Sequence, residues 1–306
     1  MRTIKKLDVL SEKNTVVALG CFDGLHLGHA KILQIAREVA TDKALTLAVY
    51  SFREPPKNFF SPTPVPLITP FEQKKHLMQK SGVELFVCPE FDAQIASLEP
   101  EEFFRAHLIE KLGAGHIVCG YNYRFGKHGK GDVELLKALC SSCDVGLTVA
   151  DEVVVDGETV SSSAIRGLLL EGDVKKAQRL LSRRYSIKRP VIDGQHLGRT
   201  LGFPTINQTF EQGAEILARG VYATRTRIGR RLYRSITNVG TRPTVDGATL
   251  CAETHIFDYK GDLYGKALTV EFLEFIRPEV KFSSLDELKA QVEADIKNVK
   301  EKDGEF

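Results

Sequence analysis

Gly20-Cys21-Phe22-Asp23-Gly24-Leu25-His26-Leu27-Gly28-His29 follows an apolar run, Thr15 to Leu19, and leads directly into an amphipathic stretch, Ala30 to Ala40. The run reads as a buried strand and the stretch as a helix. A strand, a glycine turn and paired histidines at the mouth of a helix form a place to hold phosphate. The helix start offers unpaired N–H groups and a positive dipole end, and glycines let the backbone approach a ligand closely. His26 and His29 lie three apart and should project from one turn. Two imidazoles there can neutralise charge building on a phosphate under attack. A helix cap beside a surface imidazole is the plainer reading of the pair, and a metal site with Asp23 as third ligand is another. The flanking glycines and the preceding strand favour nucleotide phosphate, with Gly20, Phe22, Asp23 and Gly24 lining the turn.

Outward from that stretch, apolar runs alternate with helical patterns up to about Ser182. Strands are expected at Val16–Gly20, Leu45–Phe52, Leu85–Cys88, Ile117–Gly120 and Leu147–Val155, and helices at Ala30–Ala40, Phe71–Ser81, Pro100–Leu112, Val133–Leu139 and Ile165–Glu171. Near-continuous apolar strands separated by amphipathic helices imply a doubly wound parallel sheet covered on both faces, the α/β class. Ligands of such sheets sit beyond the carboxyl ends of the strands. The loops Gly20–His29 and Gly120–Gly131 both leave strands there, and Ser161–Arg166 opens a helix that could join them. The basic, proline-terminated segment Arg183–Pro190 reads as a linker, which places the domains at 1–182 and 183–306. Beyond it, short alternating runs at Gly220–Arg227, Leu232–Val239, Ala252–Phe257 and Ala267–Phe275 read as a small antiparallel β-barrel. A terminal helix, Ser284 to Lys300, should pack on it.

The chain has 306 residues, enough for two cores. It is 42% hydrophobic and 27% charged, ordinary for a soluble globular protein, and its net charge of +2 demands neither a nucleic acid nor an anionic membrane as partner. No apolar run approaches the ~18 residues that span a bilayer, and nothing at the N-terminus directs export. With no such signal, the six cysteines are expected to be reduced thiols in a cytoplasm. The single CxxC, Cys140 and Cys143, lacks the second pair of a zinc site and closes a helical pattern, so both read as plain thiols. The arginines 225, 227, 230, 231 and 234 read as the solvated face of a hairpin.

Two common nucleotide motifs are excluded. Gly120 to Lys127 is one residue too long for a P-loop and places His128 where Ser or Thr is needed; Gly20, Gly24 and Gly28 do not fit the dinucleotide pattern. The Gly20–His29 string instead resembles the HxGH nucleotidylyltransferases. Further motifs narrow the resemblance to the bacterial bifunctional riboflavin kinase/FMN adenylyltransferase (FAD synthetase) family. These are Gly120-Tyr121-Asn122-Tyr123-Arg124-Phe125-Gly126, Ser161-Ser162-Ser163-Ala164-Ile165-Arg166 (serine at 163 where threonine is usual), Gly202-Phe203-Pro204-Thr205-Ile206-Asn207, Asn238-Val239-Gly240-Thr241-Arg242-Pro243-Thr244 and Glu253-Thr254-His255-Ile256. Ser51-Phe52-Arg53-Glu54-Pro55-Pro56 is a loose version of that family's aromatic-proline strand end.

The resemblance implies two ATP-dependent reactions. In the first module the phosphate of FMN attacks the α-phosphorus of ATP, giving FAD and pyrophosphate. His26 and His29 would lie against the ATP phosphates and Arg166 against the departing pyrophosphate. Ser162 and Ser163 would donate hydroxyl hydrogen bonds, and capping of the helix is compatible with that role. Asn122, Phe125 and Phe52 would contact the flavin. In the second module the primary hydroxyl of riboflavin takes a phosphoryl group, with Glu253 as base. Thr205 and Asn207 would serve Mg²⁺ and phosphate, and Gly194, Gly198 and Gly202 would cover ATP. Arg277 matches a position near the flavin end. A cytoplasmic enzyme acting on small molecules is expected, a monomer or weak homo-oligomer binding no nucleic acid or membrane. The rivals are retention of only one activity, or an RNA-binding protein whose affinity falls steeply with salt.

Overall fold

The computed structural model describes residues 1–6, 12–194, 197–214, 216–244 and 247–302. Packing divides the chain into two compact units, Met1–Ser162 and Ser163–Phe306.

The first unit is built on a six-stranded sheet: β1 (Arg2–Ile4), β2 (Thr15–Leu19), β3 (Thr46–Tyr50), β4 (Leu85–Val87), β5 (Ala114–Gly120) and β6 (Gly146–Ala150). The spatial order is β1-β4-β3-β2-β5-β6, with every pairing parallel. Its helices are α1 (Leu27–Lys43), α2 (Lys57–Phe60), α3 (Phe71–Lys80), α4 (Ala93–Ser97), α5 (Pro100–Phe103) and α6 (Val133–Ser142). β2 is buried at every position because both of its faces are covered. Val16 and Ala18 pack with Ile32, Leu33 and Ala36 of α1, whereas Val17 and Leu19 pack with Leu108, Leu136 and Cys140. That is why its sequence is apolar throughout rather than alternating. The strand order reverses between β2 and β5, so the crevice outside their carboxyl ends is the topological switch point at which such sheets bind ligands.

Three sequence expectations are corrected here. The helix expected over Pro100–Leu112 is α5 followed by a π-helical stretch, Phe104–Lys111. The long strand Leu147–Val155 ends at Ala150, and a separate hairpin follows, β7 (Val154–Val155) with β8 (Glu158–Thr159). Arg183–Pro190 is not simply a linker, since Ser186–Pro190 forms β9 and pairs with the last barrel strand. Charge at both phases hides the strand pattern: Lys188 is exposed, and Arg189, on the same face as buried Ile187, is half-buried.

Except for Ser162, α7 (Ser162–Glu171) belongs to the second unit, which adds α8 (Val174–Leu181) and then forms an antiparallel sheet of β9, β10 (Thr205–Thr209), β11 (Gly220–Ile228), β12 (Arg231–Thr244), β13 (Gly247–Ile256) and β14 (Ala267–Pro278). A short helix, α9 (Leu197–Thr200), precedes β10, and α10 (Leu285–Glu301) ends the unit. The order is β10-β13-β12-β11-β14-β9, and a bridge between Ile192 and Asn207 brings the two edges together. The result is the nearly closed barrel expected from the spacing of the runs. Thr224 and Thr226 point inward. Thr226 and Ser235 share a hydrogen bond, Ser235 and Thr224 another, and the series continues through Thr237 to Thr254, all at 2.8–2.9 Å. These buried hydroxyls satisfy one another, so the barrel tolerates a polar interior.

Of the five arginines, Arg227, Arg230 and Arg231 are exposed as expected, whereas Arg225 and Arg234 are half-buried. Arg225 grips Glu271 with two nitrogens, at 2.7 and 3.2 Å, and Arg227 reaches the other carboxylate oxygen at 3.2 Å. Arg234 donates to the carbonyls of Val299 and Lys300 at the end of α10, where a cation complements the helix dipole. Among the described residues no helix is long and apolar enough to cross a membrane, and no cysteine forms a disulfide. Burial pushes the thiols of Cys88 and Cys140 each up to about 11.

Burial would raise the Glu271 carboxyl, but the hydrogen bonds and charges of Arg225 and Arg227 outweigh it and hold the group below its usual 4.5. A depressed carboxyl stabilises the fold above the unfolded-state value, and that contribution disappears as pH falls through the folded value. Glu271→Gln should therefore be less stable than the parent at neutral pH. The gap should close as pH drops below about 4.5, as read from denaturant unfolding across pH.

Candidate functional sites

The turn after β2 is bent sharply. Phe22, Gly24 and Leu25 all adopt left-handed backbone, with φ of 51°, 88° and 40°. The bend is fixed by Asp23, only 1% exposed, whose carboxylate accepts the backbone N–H of Ile68 at 3.1 Å and of Thr69 at 3.0 Å. The Asp23 carbonyl in turn accepts the Ser162 hydroxyl at 2.8 Å. The Phe22 side chain is fully buried and lies 5.1 Å from His29, ring to ring. Asp23 and Phe22, expected beside the nucleotide, thus spend their side chains on shaping the turn.

His26 is the N-cap of α1 and not a residue of its first turn. Its Nδ1 accepts the His29 N–H at 3.4 Å, so the neutral ring carries its proton on Nε2. The two imidazoles stack at 3.7 Å with planes 19° apart. His26 is 6% exposed and His29 is half-buried. A Cβ at Gly28 would come within 3.2 Å of the His26 ring, which accounts for a glycine between the histidines. The arrangement presents an imidazole pair and the free N–H groups of a helix start at the switch point of the sheet. Ser162 is the last residue of the first unit. Ser163 and Arg166 follow on the same helix, and Arg166 is buried.

The loop after β5 is closed by reciprocal Phe125–Gly131 backbone hydrogen bonds, both 3.0 Å. Phe125 is buried against Tyr123 and Phe103, whereas Asn122 is exposed. After β3, Phe52 meets Phe91 edge-on at 5.0 Å, and Phe91 meets Phe59 and Phe60 at 5.6 and 6.0 Å. Phe59 and Phe60 are 50% and 58% exposed, an unusual outlay of apolar surface beyond the carboxyl end of β3. Beneath them, the Tyr50 hydroxyl pairs with His107 Nδ1 at 2.9 Å. Burial raises the Tyr50 phenol, while burial and then Lys111 lower His107. Phe59, Phe60 and Phe91 were not singled out in the sequence. Their only signal was an excess of phenylalanine near Pro55-Pro56.

In the second unit, β10 and β13 bring together residues far apart in sequence. Asn207 lies directly opposite Glu253, Thr205 opposite His255, and Asn238 of β12 faces Glu253 from the other side. Glu253 is exposed and its neighbours Ala252 and Thr254 are buried, as strand alternation requires. A Cβ at Gly194 would fall 2.3 Å from the Asn207 amide, and one at Gly198 would fall 2.5 Å from the Phe203 carbonyl and 3.2 Å from Thr205 Oγ1. Gly202 is exposed, with φ of 91°. A cavity of about 570 Å³ is lined by Pro204, Thr205, Thr254, Ile256, Tyr259 and Tyr264, among others. Arg277 is committed elsewhere: its guanidinium grips Asp295 of α10 with two nitrogens at 2.8–3.1 Å.

A glycine turn with stacked imidazoles on a parallel sheet, joined in one chain to a barrel with a carboxylate beside neutral oxygen donors, has the chemistry of an enzyme of nucleotides. The FAD synthetase family matches residues 9–164 and the riboflavin kinase family residues 181–302. A bifunctional riboflavin kinase/FMN adenylyltransferase of Bacillus subtilis (strain 168) is 35% identical over 291 residues, 93% of this chain and 91% of that one. Its counterpart in Escherichia coli (strain K12) is 32% identical over 297 residues, 96% and 95% of the two chains. A solved structure from Streptococcus pneumoniae, described as a macrolide-efflux protein, superposes with a TM-score of 0.88 at 33% identity over 98% of both chains. The chain belongs to the bifunctional riboflavin kinase/FMN adenylyltransferase family.

Gly28→Ala should displace the His26 ring and slow FAD formation from FMN by on the order of ten- to a hundred-fold, since small misplacements carry such factors. Riboflavin phosphorylation by the same preparation should be unchanged, as followed by separating FMN and FAD after timed incubation.

Proposed function

We propose that the two activities of the family are divided between the units: adenylyl transfer to FMN at the Gly20–His29 turn, phosphorylation of riboflavin at the Thr205–Asn207–Glu253 cluster. In the first reaction a phosphate oxygen of FMN attacks the α-phosphorus of ATP. The new P–O bond forms as the bond to the β-phosphate oxygen breaks and pyrophosphate leaves. The nucleophile is already anionic, so the site must align and neutralise rather than deprotonate. The stacked pair His26 and His29 at a helix N-terminus supports this, with Gly20 and Gly24 giving the phosphates access to the backbone. The sequence resemblance assigns Arg166 to the departing pyrophosphate and gives Ser162 and Ser163 hydroxyl hydrogen bonds to donate. Phe52, Phe59, Phe60 and Phe91 are offered as the wall for the flavin ring, with Asn122 at its polar edge and Phe125 as the support behind it.

In the second reaction Glu253 takes the proton of the primary hydroxyl of riboflavin as that oxygen attacks the γ-phosphorus of ATP, and ADP leaves. The observation that carries this reading is the register that sets Glu253 directly opposite Asn207, with Thr205 two residues along the same strand. Thr205 and Asn207 offer neutral oxygens, and the glycine at 194 leaves room beside the Asn207 amide. This donor set suits Mg²⁺, which keeps few protein ligands and shares substrate phosphates. Bound there, the ion would neutralise charge on the transferring phosphoryl group. Gly198 and Gly202 would allow close backbone approach to ATP, with the cavity beside Thr205 as its seat. Arg277 is proposed to serve the flavin end indirectly, by anchoring α10 through Asp295. The reading is of a cytoplasmic enzyme whose partners are small molecules.

Glu253→Gln should lower FMN formation by at least about a hundred-fold, in line with loss of a general base, and leave FMN-to-FAD conversion intact. His29→Ala should do the reverse. Both are read by incubating full-length protein with riboflavin or FMN, ATP and Mg²⁺. Loss of both activities in either well-folded variant would sink the assignment of separate sites.

A further inference from the structure

Lys74 of α3 occupies an apolar stripe with Phe71 and Met78, and its side chain is 0% exposed. Its Nζ donates to the Cys21 carbonyl at 3.0 Å and to the Phe52 carbonyl at 2.9 Å, with the Arg53 carbonyl at 3.5 Å. Ser51 Oγ donates to the same Cys21 carbonyl at 2.9 Å. Among the described residues no carboxylate lies within ion-pair distance of Lys74. Lys5 and Arg53 both lie over the ring of Phe71, one turn before Lys74, at 5.2 and 5.8 Å.

Burying an ammonium without a counter-ion is costly, and an apolar side chain on this stripe would pack without that cost. What the ammonium gains is two backbone carbonyls from different loops. Cys21 belongs to the turn after β2 and Phe52 to the segment after β3, strands that lie side by side with Leu19 opposite Tyr50. We propose that Lys74 is a positioning residue for adenylyl transfer, one that sets the spacing between the turn that holds ATP and the aromatic wall that holds FMN. The proposal rests on the reading of those two loops given above. Lys74 is enclosed and acts only through the carbonyls of Cys21 and of the Phe52–Arg53 segment. Its removal therefore frees both loops to drift by the small distances that in-line attack does not tolerate.

The test uses full-length Lys74→Met, which keeps the volume and removes the donors and charge. The kcat for FAD formation from FMN should fall about ten-fold or more and the KM for FMN should rise, with the rate of riboflavin phosphorylation in the same preparation within two-fold of the parent. A lysine serving stability alone would lower the melting temperature and leave kcat at low temperature unchanged; that result overturns the proposal. The effect of Lys74→Met on kcat should also be non-additive with Ser51→Ala, since both donors meet at one carbonyl. If Lys74→Met fails to fold, Ser51→Ala decides alone: a kcat fall of about three-fold or more supports the positioning role, and an unchanged kcat overturns it. His29→Ala separates the two levels. Loss there without loss in Lys74→Met removes the role of Lys74 only, and loss in neither removes the site reading with it.

Discussion

The buried carboxylate of Asp23 is the constraint from which the first unit takes its functional shape. It receives the amides of Ile68 and Thr69, and its carbonyl receives the hydroxyl of Ser162. An anion so deeply enclosed is tolerable only because N–H donors surround it, and such charge-assisted bonds are the strong ones. Three stretches distant in sequence therefore meet at one residue. The left-handed bend at Phe22, Gly24 and Leu25 is held there, which in turn aims the start of α1 and stacks the two imidazoles at the sheet edge. A residue that the motif places beside a nucleotide also shapes the backbone of its own turn.

The elements legible in the sequence are those with both faces buried or a strong helical stripe. β2 and β5 are apolar because helices cover them on either side, and the amphipathic pattern of α1 marks its covered face. Elements that depend on context were not legible. β1 is three residues long and starts with arginine, and it is a strand because β4 offers an open edge. β9 carries Lys188 and Arg189 and ends in proline, yet β14 supplies the partner that makes it a strand. The π-helical stretch Phe104–Lys111 has the composition of an ordinary helix, and nothing in its pattern sets its pitch.

The site shows the same division. Residues contiguous in a motif, such as His26, Gly28 and His29, could be placed from spacing alone, down to their shared position at a helix mouth. The pairing of Asn207 with Glu253 could not, because it is a matter of register between strands joined by a long path. Lys74 carried a signal that went unread: a lysine three residues from Phe71 and four from Met78 sits on the buried side of a helix, where lysine needs a reason. Arg277 illustrates the opposite hazard. Its place in the sequence suggests a ligand contact, whereas in the fold its Nε and Nη2 donate to Asp295 and its Nη1 to the Pro278 carbonyl.

The two scaffolds suit the two proposed chemistries for physical reasons. Adenylyl transfer to a phosphate brings two anions together, so repulsion and alignment are the obstacles. The carboxyl edge of a parallel sheet answers both, since helix starts converge there with their positive ends toward the crevice. Phosphorylation of an alcohol needs a base placed at a fixed offset from neutral oxygens that meet phosphate and metal. Antiparallel strands do this well. Directly opposed residues stand about 5 Å apart, and a residue cannot slip by one position without turning every side chain to the wrong face. The hydroxyl series inside the barrel, from Thr226 to Thr254, adds to that rigidity, because Thr224, Thr226, Ser235, Thr237 and Thr254 tie β11, β12 and β13 to one another. A carboxylate on the outer face of so firmly registered a sheet keeps a fixed offset from Thr205 and Asn207.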